Sequence, residues 1–539
     1  MEKQITLKID GRSVTVPEGT LIVNAAKQLG IVIPVFCYHP KLKPAGMCRV
    51  CMVEVGRPRM DNTTGSPMLN EDGTPIIVYG PKLETSCTTP VSEGMVVWGA
   101  TEKVIEAQKG ILEFLLTSHP LDCPVCDKGG ECPLQNLTMK FGPTDSRFLL
   151  DEKHHGEKRF SLGELIILDR ERCILCGRCV RFQDQIADDP VLAFDLRGRD
   201  AEIITNSTPG FDSIFSGNTT DICPVGALTT SDFRFGARPW EMEASASICN
   251  QCPVGCNIMY NIRREARKDG KVVIKRVLPR QNEEVNEIWM CDKGRFTYQY
   301  YESPERLTSP LIRRGGELVK TSWEEAIEFA AQQVRAAATN LAVLASGRLS
   351  NEDLFTLKKF ADTINGKAIL HTTISGGDRV AKAGMTPGSN LGSLGKGSLI
   401  FVIGSDLHEE APVGWLRVKK AAENGATLVV ANPRSTRLDK FATLRIRYDY
   451  GNEVATLQKL ITEDEDLKLA VKEADNLVFM YGSEGMGLTA SSGVADLLAG
   501  WLDKSGHKGK PNSGLIAVWQ KGNDQGAWEI GFDTSDKLT

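Results

Sequence analysis

The sequence predicts a multidomain protein in which an α+β front half is followed by an α/β back half. The chain has 539 residues, and single hydrophobic cores stop growing at about 250–300 residues. All 15 cysteines lie between Cys37 and Cys291, so the two halves differ in their chemistry. Beyond residue 300, strand and helix patterns alternate as they do in parallel sheets.

Composition excludes several classes of protein. The formal net charge of −5 gives no electrostatic reason to expect nucleic acid or an anionic membrane surface as a partner. The N-terminal MEKQITLKIDG has no apolar signal core, so we expect no secretion signal or transit peptide and a mature chain that begins here. No window approaches about 18 uninterrupted apolar residues, so membrane association is expected only through partner proteins. In the reducing cytosol, the cysteines argue against a disulfide framework.

The N-terminus is predicted to form a β-hairpin followed by a helix. Apolar residues alternate with polar ones on both sides of the turn sequence Asp10-Gly11, at Ile5, Leu7, Ile9, Val14 and Val16. Such alternation around a tight turn is typical of two paired strands. Thr20 is predicted to cap a helix that runs to Gly30. A hairpin followed by a helix suggests a β-grasp module, which we assign to residues 1–95.

The first cysteine group combines a loop cysteine, a C-x2-C pair and a distant fourth cysteine: Cys37, Cys48, Cys51 and Cys87. This order is similar to the plant-type [2Fe-2S] pattern, whose first loop is shorter. Zinc held by four thiolates is the alternative on spacing alone. The small residues Pro44-Ala45-Gly46 favour iron, because they let backbone N–H groups approach the sulfurs. Residues 58–75, rich in Pro, Gly, Asn and Asp, are predicted to be an exposed loop.

The second group joins one histidine to three cysteines: His119, Cys123, Cys126 and Cys132. Residues 101–118 carry apolar side chains at helical spacing, and Pro120 ends that helix. A histidine at a helix end is ordinarily a partner of the helix dipole. Three cysteines, however, leave a [4Fe-4S] cluster short of one ligand, and imidazole serves as a ligand in Rieske centres. We therefore predict that His119 is the fourth ligand, in a domain of residues 96–150.

The third group has the spacing of bacterial ferredoxins: Cys173-x2-Cys176-x2-Cys179 with the remote Cys223-Pro224. Three closely spaced thiolates and one distant thiolate are typical of a [4Fe-4S] cluster. Residues 157–172 are predicted to be a linker and strand leading to this group, within a domain of residues 151–240. Four arginines are expected to surround the thiolates and favour the reduced cluster, unless they form a solvated basic face: Arg170, Arg172, Arg178 and Arg181.

The fourth group consists of cysteines alone: Cys249, Cys252, Cys256 and Cys291. A strand is predicted at 271–278, between the third and fourth of these cysteines. Four thiolates suit zinc as well as iron. With this group every one of the 15 cysteines is assigned, so none remains for a nucleophile or a disulfide. We assign the group to a domain of residues 241–300.

Residues 301–539 are predicted to form an α/β domain. A strand at 341–345 is followed by a helix at 351–364 with Ser350 as its N-cap. Segments 399–403, 411–423 and 427–431 read as strand, helix and strand, which makes a parallel βαβ unit. Gly404-Ser405-Asp406 after the first of these strands is interpreted as a tight turn, because neither a G-x-G-x-x-G fingerprint nor a P-loop is present.

In this order, the four groups resemble the large iron–sulfur subunits of bacterial NADH:quinone oxidoreductase, which belong to the peripheral arm of respiratory complex I. Cys291-Asp292-Lys293-Gly294-Arg295 resembles the segment that closes the [4Fe-4S] cluster of molybdopterin oxidoreductases. GSDLHEEAPV and ANPRSTRLDKF extend that likeness into the C-terminal half. The resemblance implies an N-terminal β-grasp [2Fe-2S] ferredoxin-like module, ferredoxin-like [4Fe-4S] modules and a molybdopterin-oxidoreductase-like α/β domain.

The resemblance also implies cofactors, a path and partners. One [2Fe-2S] cluster at the Cys37 group would receive electrons from the flavin-bearing NADH-oxidising subunit. [4Fe-4S] clusters at the Cys173 and His119 groups would pass them on toward quinone, and a third [4Fe-4S] cluster at the Cys249 group would lie off this path. Partners would be the other peripheral-arm subunits and, indirectly, the membrane arm. The location would be the cytoplasmic face of the inner (plasma) membrane.

Three other functions are alternatives to this one. A molybdenum-bearing subunit of an NAD-linked formate dehydrogenase would need a metal–pterin site. No cysteine after Cys291 could bind molybdenum, which leaves serine or aspartate as the alternative ligand, and the α/β part is short, so we expect no molybdenum. A relay subunit of an NAD-coupled hydrogenase explains the C-terminal half less well. A zinc-stapled interaction scaffold would be colourless, whereas an iron–sulfur protein is brown.

Overall fold

The computed structural model describes residues 3–337 and 341–534. Within these ranges the chain forms two compact units. Unit 1 contains the residues up to Glu243 together with Arg263–Asp269, and unit 2 contains Ala244–Ile262 and the residues from Gly270 onward. No helix in the described ranges is both long enough and apolar enough to cross a membrane.

A mixed sheet of six strands opens unit 1. In spatial order, five of its strands are Arg12–Pro17, Gln4–Ile9, Val96–Trp98, Met52–Pro58 and Ile77–Tyr79, and Glu84–Thr85 pairs beside Met52–Pro58. The first two strands form the predicted antiparallel hairpin. Gln4–Ile9 pairs in parallel with Val96–Trp98, so the sheet extends past the predicted domain end at residue 95. The loop at 58–75 is almost entirely exposed, as predicted.

The helix Ile22–Gln28 packs its buried side chains, among them Ala25, into one core with the sheet. Sheet and helix together confirm the predicted β-grasp arrangement. The prediction that Thr20 caps this helix is wrong, because the N-cap is Leu21 and no side chain bonds there. The Thr20 hydroxyl instead donates to the Pro17 carbonyl oxygen at 2.7 Å, which closes the turn after the preceding strand.

Two helices frame the second cysteine group. Glu102–Leu116 begins at Thr101, whose hydroxyl accepts a hydrogen bond from the Val104 N–H. It ends before Pro120, as predicted. The second helix, Pro133–Phe141, starts directly after Cys132 with proline at its first position, where the missing N–H has no intrahelical partner to lose.

The third part of unit 1 is built from short elements. Three strands form a sheet in the order Leu228–Thr230, Ile166–Leu168 and Phe160–Ser161. The other elements are the hairpin of Leu192–Asp195 and Glu202–Thr205, the helices Arg178–Gln185 and Asn218–Ile222, and the 3-10 turns Leu150–Glu152, Gly198–Asp200 and Pro239–Glu241. The predicted linker and strand ahead of Cys173 are confirmed, since the buried strand Ile166–Leu168 lies within residues 157–172.

Small sheets and helices occupy residues 243–337, most of which belong to unit 2. The strands Glu243–Ile248, Asn257–Glu265 and Lys271–Pro279 form one sheet, and Leu311–Arg314 pairs with Glu317–Lys320. Short helices follow these strands at Ala266–Lys268, Asp292–Phe296 and Thr297–Glu302, and a longer one spans Trp323–Ala337. The strand predicted at 271–278 is thereby confirmed.

The rest of unit 2 is the predicted α/β part. Two parallel strands, Ala342–Ala345 and Lys367–Leu370, lie beside the helix Asn351–Thr363, whose N-cap Ser350 accepts from the Asp353 N–H at 3.1 Å. Five more strands form a parallel sheet in the order Leu444–Ile446, Thr427–Ala431, Ser398–Ile403, Asn476–Tyr481 and Gly514–Ala517. Every residue of Ser398–Ile403 is buried, as expected of a central parallel strand with helices on both faces.

Helices and turns connect these strands: Gly377–Ala383, Leu391–Ser393, Leu407–Glu410, Pro412–Glu423, Arg437–Lys440, Glu453–Glu463, Glu465–Glu473, Leu488–Lys504 and Asp524–Ile530. The core below the sheet includes Phe401, Phe479 and Trp501. The Phe479 ring stacks on Trp501 with 5.3 Å between ring centroids. The predicted βαβ unit is confirmed by the parallel pairing of Ser398–Ile403 with Thr427–Ala431.

Candidate metal centres

Backbone pairing assembles the first cysteine group. Thr85 is paired with Met52, which brings Cys51 and Cys87, the residues beside this strand pair, together. Cys37 and Cys48 face each other across the loop, since each N–H lies 3.5 Å from the sulfur of the other residue. The four cysteines therefore meet as two pairs, an arrangement that fits two irons with two thiolates each.

Hydrogen bonds between the thiols couple the members of this group. Those from Cys48 and then Cys87 hold the pKa of the Cys37 thiol well below its ordinary value, and the same pairings with Cys37, together with burial, raise the pKa of Cys48 and of Cys87. The backbone N–H of Met47 also points at the Cys37 sulfur, which agrees with the expectation that the small residues 44–46 let the backbone approach. Burial of Cys37, Cys51 and Cys87 is complete or nearly so.

The second group is organised around the end of the helix Glu102–Leu116. Lys153 Nζ donates to the carbonyl oxygens of Leu116, Thr117 and His119, at 2.8, 3.3 and 2.9 Å. This lysine caps the helix carbonyls and fixes the backbone of His119. Within the part of the chain that the structure describes, His119 Nδ1 is buried and has no hydrogen-bond partner. Such an orphaned nitrogen fits a metal ligand.

Burial lowers the pKa of His119 to about 4, with Lys153 and Arg172 adding to the effect. The imidazole is therefore neutral near pH 7, which is the form that binds metals. Arg172 also lies in the field of Cys126, so its charge acts on both His119 and Cys126. Burial raises the pKa of Cys126 and of Cys132.

Arg238 stabilises the loop that carries Cys123 and Cys126 through hydrogen bonds to the loop backbone. Its two terminal nitrogens donate to the Cys126 carbonyl oxygen at 2.9 Å and to the Cys123 carbonyl oxygen at 3.1 Å. Cys123 is exposed, whereas Cys126 is buried. Gly226 packs directly on Cys126, because a Cβ atom at position 226 would overlap the Cys126 sulfur.

The third group surrounds a pocket. All four of its cysteines line that pocket, together with apolar side chains such as Leu168 and Val225: Cys173, Cys176, Cys179 and Cys223. Burial raises the pKa of Cys173 to about 12 and of Cys176 to about 11. Four cysteines around an apolar pocket fit an iron–sulfur cluster, because a metal deprotonates the thiols that coordinate it.

The expectation that four arginines surround this group is wrong for three of them. Arg178 does lie in the field of Cys176 and Cys223. Arg181 donates to the carbonyl oxygens of Cys37 and Lys43. The remaining two turn away as well: Arg172 reaches Asp122, Asp169 and Cys126, and Arg170 pairs with Glu157 and Glu202 over the Phe160 ring. Neighbouring positions in sequence thus serve different sites: Arg170 and Arg172 lie in the turn before Cys173, whereas Arg178 and Arg181 lie in the helix Arg178–Gln185.

The fourth group lies in unit 2. Cys249 and Cys256 are joined by a hydrogen bond from the Cys249 N–H to the Cys256 carbonyl oxygen at 2.9 Å. Cys291 is the N-cap of the helix Asp292–Phe296. A Cβ atom on Gly294 would lie 3.2 Å from the Cys249 sulfur, so glycine lets this helix turn approach the thiols. Burial raises the pKa of Cys252 to about 11 and of Cys291 to about 12.

Across residues 3–337 and 341–534, no three His, Cys, Asp or Glu side chains converge closely enough to hold one metal ion.

The carboxyl ends of the central strands do not fit an anionic pterin cofactor. Ser398–Ile403 and Asn476–Tyr481 end side by side where the strand order reverses, which is where open α/β sheets bind ligands. Asp406 and Glu484 follow these strands, and Arg434 pairs with both. Glu410 accepts a hydrogen bond from the Ser405 hydroxyl, and burial raises the pKa of Glu410 to about 7.

The tight turn predicted at 404 is confirmed by the Gly404 φ of +60°.

Three residues that contact the ligand loops were not singled out in the sequence, and spacing gives a signal for only one of them. Lys153 is 34 positions from His119, and Arg238 is 112 positions from Cys126. Gly226 stands three residues after Cys223, but only the folded chain brings it onto Cys126. A search for a basic or glycine residue beside a cysteine motif finds the third and misses the other two.

Five family models match successive segments of the chain. They are described as a 2Fe-2S iron–sulfur cluster binding domain (residues 2–102), the NADH-ubiquinone oxidoreductase-G iron–sulfur binding region (108–147), the NADH-quinone oxidoreductase subunit 3 ferredoxin-like domain (163–229), the NADH-ubiquinone oxidoreductase NDSU1/NuoG-like 4Fe-4S domain (246–299) and molybdopterin oxidoreductase (306–538). Together they confirm the predicted order of [2Fe-2S], [4Fe-4S] and α/β domains.

Curated relatives share this order over nearly the whole chain. The G subunit of NADH-quinone oxidoreductase from Streptomyces coelicolor is 38% identical over 98% of this chain and 62% of its own length. Subunit 3 of the Thermus thermophilus enzyme is 39% identical over 77% of this chain and 53% of its own length. The chain thus spans somewhat more than half the length of these two relatives. A solved chain of an NAD+-reducing [NiFe]-hydrogenase covers 43% of this chain and 90% of its own, at 28% identity and a TM-score of 0.35.

A third relative is shorter. The G subunit of the Rickettsia bellii enzyme is 33% identical over 98% of this chain, and the match takes in 73% of its own length. With the family models in the same order, this similarity identifies the chain: it belongs to the family of NADH-quinone oxidoreductase G subunits.

Proposed function

We propose that this chain is an iron–sulfur electron-transfer subunit of an NADH:quinone oxidoreductase. It would relay electrons from a flavin-bearing NADH-oxidising subunit toward quinone and would have no substrate pocket of its own. The observation that carries the proposal is the gathering of all 15 cysteines and His119 into four separate sets. A chain of redox clusters needs several separate ligand sets, one for each cluster, whereas a single active site needs only one set.

The proposed cofactors are one [2Fe-2S] and three [4Fe-4S] clusters, which supply one-electron transfer when bound. Their ligands would be Cys37, Cys48, Cys51 and Cys87; His119, Cys123, Cys126 and Cys132; Cys173, Cys176, Cys179 and Cys223; and Cys249, Cys252, Cys256 and Cys291. The protein's role is to set each potential through ligand identity, burial and nearby charge. The domain division at 95, 150, 240 and 300 is part of the proposal, with the first boundary moved past Val96–Trp98.

Contacts within unit 1 support the order of the proposed path. Gly177, between Cys176 and Cys179, lies so that a Cβ atom there would be 3.3 Å from the sulfur of Met47, the neighbour of Cys48. The first and third groups are therefore adjacent. Gly226, beyond Cys223, lies against Cys126, so the third and second groups are adjacent too. This agrees with a path from the Cys37 group through the Cys173 group to the His119 group.

Partners, location and the role of the C-terminal half complete the proposal. The partners would be the flavin-bearing subunit and the other peripheral-arm subunits of complex I, with the membrane arm reached indirectly from the cytoplasmic face of the membrane. The α/β part would be a scaffold without molybdenum, which the carboxylates Asp406, Glu410 and Glu484 support. A molybdenum-bearing formate dehydrogenase subunit is the runner-up, because the α/β part matches the molybdopterin oxidoreductase family.

Elemental analysis of the purified full chain, reconstituted with iron and sulfide, tests the proposal. We expect about 14 irons per chain, from one [2Fe-2S] and three [4Fe-4S] clusters, and low-temperature EPR signals on reduction. Stoichiometric molybdenum would favour the formate dehydrogenase alternative. A colourless protein with stoichiometric zinc and no EPR signal would replace the proposal with an interaction scaffold.

Replacing Arg172 with glutamine is expected to lower the midpoint potential of the His119 site. Arg172 is 3% exposed, and its Nη1 has no hydrogen-bond partner in the described chain. Asp122 and Asp169 hold it in the field of Cys126. Loss of a charge at this range is worth roughly 1–2 kcal/mol, or about 40–90 mV for one electron.

Redox titration followed by EPR measures this shift. Arg172→Lys keeps the charge and should keep most of the potential. Arg170→Gln is the matched control, because Arg170 pairs with Glu157 and Glu202 instead. An equal shift in the Arg170 variant, or none in Arg172→Gln, would contradict the assignment.

A further inference from the structure

Two ligand loops of unit 1 are interlocked by a short strap, defined as Cys223-Pro224-Val225-Gly226. Cys223 lines the pocket of the third group. One residue on, the Pro224 carbonyl oxygen lies 3.7 Å from the sulfur of Cys132. Gly226 ends the strap on the sulfur of Cys126. Four consecutive residues therefore touch the ligands of two different cysteine groups.

A third contact locks the same loops together. Lys128, between Cys126 and Cys132, donates from Nζ to the Thr220 carbonyl oxygen at 3.3 Å. Thr220 belongs to the helix Asn218–Ile222, which leads directly into the strap. A Cβ atom at position 226 would also approach Lys128 Cβ to 3.3 Å. The loop of the second group and the strap of the third therefore form one packed body.

The need for glycine at position 226 comes from contact and not from backbone conformation. Gly226 does not have the positive φ that L side chains avoid. Any residue could adopt its backbone angles. Only the Cβ atom is excluded, because the Cys126 sulfur fills the space that it would take.

We propose that the strap sets the spacing between the third and second sites, and that Gly226 is the positioning residue that allows their close approach. This inference rests on the proposed function, since it assumes a cluster in each site. It adds to that function a single backbone segment that carries a ligand of one site and abuts two ligands of the other. One electron passing between the sites crosses this segment, with no bond made and no proton transferred.

EPR of the reduced, reconstituted full chain tests the proposal through the magnetic interaction between the two sites, which weakens steeply with distance. Gly226→Ala should push Cys126 away, alter the signal of the His119 site, and weaken or abolish its interaction with the Cys173 site. The Cys173 signal itself should persist. Gly110→Ala is the matched control, because a Cβ atom there meets nothing within 4 Å.

A second variant tests the proposal if Gly226→Ala does not fold. Lys128→Met removes the clip to Thr220 without a steric clash, and it should weaken the interaction in the same direction by a smaller factor. An unchanged interaction in Gly226→Ala, or in Lys128→Met if the alanine variant is insoluble, would overturn the proposal. Absence of iron–sulfur signals in the unaltered chain would instead overturn the proposed function, so the two failures are distinguishable.

Discussion

Replacing His119 with alanine is expected to abolish the EPR signature of an intact [4Fe-4S] cluster at the second site and to leave the other three sites loaded. Three cysteines would remain there, and three ligands leave one iron of a cubane without a protein donor. The iron content should fall by about one to four atoms, depending on whether a three-iron cluster survives. Iron analysis and EPR of the reduced and oxidised protein measure both effects.

A conservative variant separates ligation from packing. His119→Cys restores a fourth donor, but replaces a neutral imidazole with an anionic thiolate, so the cluster should return at a lower midpoint potential. His155→Ala is the matched control, because the His155 side chain is 76% exposed and pairs only loosely with Glu171 at 3.2 Å. An unaltered cluster spectrum in His119→Ala would disprove the ligand assignment and leave His119 as a helix-end residue.

The proposed ligand sets, which stay a prediction, could be drawn from the sequence because metal binding imposes local spacing. A metal-binding run such as Cys173 to Cys179 must place several donors within a few residues, and this spacing can be recognised in the sequence. The central strands could be predicted for a similar reason, since Ser398–Ile403 is buried on both faces and its residues 399–403 form an unbroken apolar run. Element order and chemistry could therefore be inferred without coordinates.

What surrounds the ligands could not be inferred in the same way. Arg170 and Arg172 are two positions apart, yet one reaches Glu202 and the other Asp122. Lys153 fixes His119 through backbone carbonyls, which accept from any donor and leave no residue-specific pattern. Threonine is a common helix N-cap, but the Thr20 hydroxyl donates to the Pro17 carbonyl oxygen instead. These interactions depend on three-dimensional proximity between chemically ordinary groups.

The division of the chain into two units leads to the second large effect. The Cys249 group lies in unit 2, whereas the other three groups lie in unit 1. Cys291→Ala should therefore disrupt one [4Fe-4S] cluster, lowering the iron content from about 14 to about 10–13 per chain, depending on whether a three-iron cluster survives, and should leave the EPR signals of unit 1 unchanged. Low-temperature EPR with iron analysis of the full chain measures this.

Comparison with Cys223→Ala turns the loss into a test of the path. Both cysteines are buried, and each variant removes one ligand from a proposed [4Fe-4S] site. If the fourth site lies off the path, NADH-driven reduction of the His119 site in the assembled complex should persist in Cys291→Ala and be lost in Cys223→Ala. Equal loss in both variants would place the Cys249 site on the path. Equal retention would show that electrons bypass the third site, because a chain of adjacent sites cannot conduct once its middle member is removed.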